Sequence, residues 1–153
     1  TLFLAAMLHD VALTDTYRVT PGEAPLACLC FAAHGAHLAE QTLVGLGADA
    51  AVATTVGEAI GWHLNAVVPE DAGPDAVALN AGAALDVIGL RAAVVGRTAV
   101  ASVVRDEPRD GFVDGLLGAL GLEARERPDS RMGLLWRLGF GTTIRLNPLN
   151  RVS

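Results

Sequence analysis

Apolar positions recur at three-to-four spacing along most of the chain, and polar clusters break them into segments of helical length. The chain opens on the apolar run Leu2 to Leu8, which reads as the tail of a helix ending near His9 to Ala12. Thr14-Asp15-Thr16 starts a turn or caps a short segment. Pro21-Gly22 and Pro25 make residues 18–25 a loop. Leu26 to Leu46 reads as a long helix with apolar Leu29, Leu38, Leu43 and Leu46, frayed or ended by Gly45 and Gly47. Asp49 caps the next helix, which runs to about Leu64 with Val52, Val56, Ala59, Ile60 and His63 on one stripe. The β-branched run from Val52 to Val56 is a competing strand signal, but the segment is long for a strand and lacks turn residues.

Asn65 to Gly73 is a loop, and Pro74-Asp75 opens a helix through Val77, Leu79, Ala81, Ala84, Leu85 and Ile88. Residues 91–104 give a weaker helix, and Arg105 to Asp110 a charged loop containing Pro108. Phe112 to Arg127 reads as a helix carrying Phe112, Leu116, Leu120 and Ala124, weakened by three glycines and closed by Pro128-Asp129-Ser130. Residues 131–142 give a short helix. The expectation is one all-α domain over residues 1–145, followed by a tail at 146–153.

Composition narrows the function classes. Of 153 residues, 52% are hydrophobic and 18% charged, enough for one real core and too apolar for disorder. The net charge of −6 disfavours nucleic acid, and no basic run offsets it. Charged residues or histidines interrupt every apolar run before the roughly 18 residues of a membrane span. A small-molecule substrate fits better, and the sequence specifies neither a monomer nor a homo-oligomer. Cys28 and Cys30 are too close for an ordinary disulfide and have no second pair to complete a zinc site, so free thiols in a cytoplasmic protein are expected. The chain starts on Thr1, inside an apolar pattern, and is expected to be a fragment lacking an N-terminal portion of its domain.

The candidate chemistry begins where the first apolar run delivers His9 beside Asp10. Imidazole and carboxylate are both ligands for a divalent cation, and charged groups are rarely buried without a partner. The alternative is that Asp10 ends the helix and His9 is a satisfied core histidine. His34, His37 and His63 follow on later helices, and Asp86 sits beside the apolar stripe of the fourth helix. By spacing, His63 and His34 compete between the interior and the surface, while His37 reads as a surface residue. Trp62 and Trp136 read as packing. Glu58 reads as solvated, or else as a partner to an imidazole. Arg91, Arg97, Arg105 and Arg109 are too dispersed for a clear phosphate site.

The segments LAAMLHD, FAAHGAHLAEQTL, EAIGWHLN and ALNAGAALDVIGLR, with Glu107 to Ser130 (EPRDGF…ARERPDS), resemble the HD-domain superfamily of metal-dependent hydrolases. The chain is most similar to the cyanamide-hydratase-like branch, and the resemblance spans nearly all of it. It implies an HD-domain helical bundle whose metal is held by a His, a His-Asp pair and a late Asp. His9, Asp10 and Asp86 match the last three, and the first His is expected upstream of Thr1. The implied cofactor is a divalent cation, Zn, Fe or Mn, activating a water, with Asp10, His63 and His34 as candidate catalytic groups. Members of the branch often carry Phe-Glu before a Gly-Ala step, whereas this chain has Phe31-Ala32-Ala33-His34-Gly35-Ala36, so the carboxylate is absent. Other members of the superfamily bind a second metal through histidines placed like His34 and His63. The readings kept open are a small-molecule hydrolase or hydratase, a nucleotide phosphohydrolase, and a non-catalytic helical domain.

Overall fold

The computed structural model describes residues 1–18 and 30–151. Among them all regular structure is helical, so the chain is an all-α fold. Helix α1 (Leu2–Leu8) passes through His9 and Asp10 into a 3-10 turn at Val11–Leu13, and Thr14 closes that turn by donating its hydroxyl to Val11 O at 2.7 Å. Helix α2 covers Phe31–Gly45. Its expected beginning at Leu26 and most of the expected 18–25 loop lie outside the described residues, as does Cys28. Asp49 caps α3 (Ala50–Trp62), its carboxylate accepting from Ala51 N at 2.8 Å. The strand signal at Val52 to Val56 yields to this cap and to burial of Ala53, Val56, Ala59 and Ile60 on one face.

Pro74 opens α4 (Pro74–Ile88), which ends at Gly89 in the left-handed conformation. The single helix expected over 91–104 is divided into α5 (Ala92–Val95) and α6 (Arg97–Asp106). Gly96, at φ +88°, makes the break, and α6 takes in Arg105 and Asp106 from the expected charged loop. Helix α7 spans Phe112–Glu126. The segment expected as one short helix at 131–142 is two, α8 (Arg131–Arg137) and α9 (Phe140–Leu146), parted at Gly139 with φ +91°. In the stretch expected to trail away, Pro148–Arg151 instead forms a further 3-10 turn, with its Leu149 and the preceding Asn147 buried.

Small residues set the close approach of α2 and α3. A Cβ on Gly57 would stand 3.1 Å from Ala36 O, tighter than ordinary packing, so glycine lets the two backbones come this near without displacement. Around this pair lie two apolar clusters. One joins α1, α2, α3 and α4 through Ala5, Ala39, Val56, Ile60 and Leu79. The other joins the start of α2 to α7, α8 and α9 through Phe31, Leu120, Met132 and Ile144. The ends of α1 and α3 meet between these clusters, and that junction carries His9, Asp10 and His63. No helix of the described residues is long and apolar enough to cross a membrane.

Candidate functional site

His9 and His63 are held in the same way. Each closes a helix, α1 or α3, and turns its ring back on its own last turn. His9 Nδ1 lies 2.8 Å from Ala6 O, and His63 Nδ1 lies 2.6 Å from Ile60 O. A carbonyl oxygen only accepts, so in both rings Nδ1 carries the hydrogen. Each Nε2 then turns toward Asp10, His9 Nε2 at 3.2 Å from Oδ2 and His63 Nε2 at 3.7 Å from Oδ1. The rings meet edge to face with centroids 5.1 Å apart, and Phe31 packs beside His63 with centroids 5.6 Å apart. Asn80 of α4 fixes the end of α3 by donating Nδ2 to His63 O at 2.9 Å and to Asn65 O at 2.8 Å.

The two imidazoles titrate in opposite directions. Burial pulls His9 toward the neutral form, but the hydrogen bond and charge of Asp10, with smaller help from Ala6 O and Asp86, lift its pKa above the ordinary value. His63 is only 6% exposed, and burial lowers its pKa despite the attraction of Asp10. His9 and Arg131 push it further down. As pH falls His9 therefore takes a proton before His63, whose hydrogen on Nδ1 leaves a lone pair on Nε2.

Two spaces open beside the cluster, with His9 and Asp10 on the wall of each. The first is a cavity of about 300 Å³ between the ends of α1 and α3 and helices α4, α7, α8 and α9. His63, Asn65, Asn80 and Thr143 line it, and the rest of the wall is apolar. The second is a cleft of about 350 Å³ that Asp86, Gly82 and Phe112 complete. The structure thus brings His9, Asp10 and His63 together and places Asp86 across the cleft from the first two.

Asp86 is already engaged. Arg109 Nη1 pairs with its carboxylate, and Nη2 donates to Asp86 O at 2.9 Å. The guanidinium lies 4.2 Å over the Phe112 ring, which leaves it mostly shielded from water. Asn147 Nδ2 donates to the same backbone carbonyl at 2.7 Å. The donor types on the cleft wall, the His9 imidazole and the carboxylates of Asp10 and Asp86, suit a divalent cation. As they stand, no set of three or more His, Cys, Asp or Glu is gathered for a metal among the described residues.

His34 lines neither space, and its Nδ1 is buried without a hydrogen-bond partner. His37 and Glu58 are exposed. Trp136 packs on Gly121 and Gly141, where an added Cβ would come within 3.0 and 3.2 Å of its ring. Sequence reasoning missed four residues. Asn65 and Asn80 lay in or beside apolar stretches. Arg109 was one of several dispersed arginines. Glu123 is 1% exposed and accepts from Phe31 N at 2.9 Å, capping α2 from α7, while pairing with Arg127. The one available signal for Glu123 was its spacing, three residues after Leu120 and four before Arg127 on the buried face of α7. Compared with protein-family models and with curated proteins, the chain matches none.

Proposed function

We propose that the chain is a metal-dependent hydrolase or hydratase of the HD type acting on a small molecule, as the resemblance to the cyanamide-hydratase-like branch implies. The observation that carries this reading is the shared tether of His9 and His63. In each ring Nδ1 is tied to a backbone carbonyl and Nε2 faces Asp10. A backbone carbonyl that fixes the tautomer and aims the other nitrogen is the usual support of a metal-ligating or proton-transferring imidazole. His9, Asp10 and Asp86 would hold Zn²⁺, Fe²⁺ or Mn²⁺ at the cleft. The bound cation would supply a Lewis acid and a more acidic water. His63, oriented by Ile60 O through Nδ1, would take a proton on Nε2, and Asp10 would stabilise the charged ring so formed.

The test is the metal content of the purified chain, with hydration of cyanamide and nitriles measured against a nucleotide panel. One equivalent of metal, a melting temperature that rises with added metal, and loss of both in His9→Ala and Asp10→Ala support the reading. No stoichiometric metal, with both variants indistinguishable from the parent, removes it. Faster turnover of nucleotides moves the chain to the phosphohydrolases. A non-catalytic helical domain is the second reading, favoured by the Arg109–Asp86 pair that occupies the late carboxylate.

A further inference from the structure

We infer that the cavity beside His63 takes the apolar body, about two fused rings in size, of an uncharged small molecule. That this molecule is a substrate rests on the proposed function; that the cavity binds it does not. Three observations carry the inference. The wall away from the α1–α3 junction is built from Ile88, Leu116, Leu120, Met132, Leu135 and Phe140, contributed by α4, α7, α8 and α9. Leu120 and Met132 belong to the second core cluster and are almost fully buried, so this wall is part of the packed interior. Apolar surface of this kind draws hydrocarbon out of water. Size is the second observation. An apolar cavity of about 150 Å³ holds one benzene, and the space here is about 300 Å³. Cyanamide itself, with no apolar body, would leave that wall uncovered. Charge is the third. None of the described lining residues is Lys or Arg, and the one carboxylate, Asp10, already meets His9 Nε2 at 3.2 Å. A phosphate or carboxylate would lose its hydration beside a like charge, without a guanidinium or ammonium to replace it. His9, Asp10, Ala83 and Val87 line the cleft as well, so the two spaces share a wall. A molecule whose body fills the apolar side of the cavity therefore has its other end toward the imidazoles and Asp10.

Fluorine NMR titrations in EDTA, with fluorobenzene, 1-fluoronaphthalene and 4-fluoro-1-naphthoate as probes, test this. The naphthalene is expected to bind about tenfold more tightly than the benzene, because its second ring buries more apolar surface. The naphthoate has the same rings and a negative charge, and is expected to bind at least about tenfold more weakly than the naphthalene. Ala84 lines the cavity and not the cleft, and Ala84→Leu adds bulk to that wall. It is expected to weaken the naphthalene about tenfold. Should that variant fail to fold, the two methionines of the parent chain locate the site without any substitution. Met132 lines the cavity, whereas Met7 is exposed and lines neither space. The bound naphthalene should give nuclear Overhauser contacts to the Met132 methyl and none to that of Met7. Naphthoate binding as tightly as the naphthalene, or benzene binding as tightly, overturns the inference. So does unchanged affinity in a folded Ala84→Leu, the absence of contacts to Met132, or no binding to the parent chain. Because the titration is metal-free, naphthalene binding without stoichiometric metal would defeat the hydrolase reading alone. Metal binding without naphthalene binding would defeat this inference alone.

Discussion

His63 Nε2 stands 3.7 Å from Asp10 Oδ1 while its other nitrogen donates to Ile60 O at 2.6 Å. A ring held this way, and kept neutral by burial, sets one acceptor against another. Asp10 meets His9 Nε2 on its second oxygen at 3.2 Å and favours the protonated form of that ring. One carboxylate thereby faces two imidazoles, with centroids 5.1 Å apart, whose pKa values move in opposite directions.

The division predicts two limbs in the pH dependence of stability of the metal-free chain. The pKa of His63 is lowered on folding, so below about 6.5 the unfolded chain binds a proton that the folded chain refuses. Stability then falls with falling pH until the folded pKa is passed. The pKa of His9 is raised, so its contribution is fully present below about 6.5 and is lost as pH rises through the folded value. Urea denaturation from pH 5 to 8 in EDTA should give a flatter acid limb in His63→Gln and a flatter limb above 6.5 in His9→Gln. Parallel curves for all three proteins would show that neither shift exists.

Arg109 should restrain Asp86. In Arg109→Met the carboxylate is freed, so under the proposed function Zn²⁺ or Mn²⁺ binds more tightly by calorimetry. The same change removes a stacked guanidinium and its bond to Asp86 O, lowering stability by about 1–2 kcal/mol. Unchanged metal affinity with the expected loss of stability would mark the Arg109–Asp86 pair as structural only.

Glu123 should matter more for folding than its place in a helix suggests. Its carboxylate caps α2 at Phe31 N and pairs with Arg127, both in the interior. Glu123→Ala is expected to cost about 3 kcal/mol in denaturant unfolding. Glu123→Gln keeps an acceptor for Phe31 N and should cost less. A loss under 1 kcal/mol in the alanine variant would contradict the role given to this cap.

Gly89 should resist substitution. Its φ of +72° disfavours an L side chain, and a Cβ there would meet the Pro148 ring and stand 2.6 Å from Asn147 Oδ1. Gly89→Ala is expected to cost at least about 2 kcal/mol in thermal or chemical unfolding. It should also shift the amide resonances of residues 147–151, which rest on the end of α4. A neutral effect would mean that this segment moves aside at little cost.

The sequence by itself determined the helical class, the Asp49 cap, the Pro74 start and the surface placement of His37, because periodicity and capping act over one or two turns. It also marked His9, Asp10 and His63 as residues to watch, since polar groups interrupting an apolar stripe stand out locally. Breaks at Gly96 and Gly139 were harder to read. A glycine within a helical pattern is tolerated often enough that only its realised positive φ separates a break from a weak spot. Tertiary structure alone decided that His63 meets Asp10, that Arg109 occupies Asp86, and that Glu123 caps α2. Each joins residues at least 23 positions apart, and such pairings depend on how helices pack rather than on the pattern within any one of them.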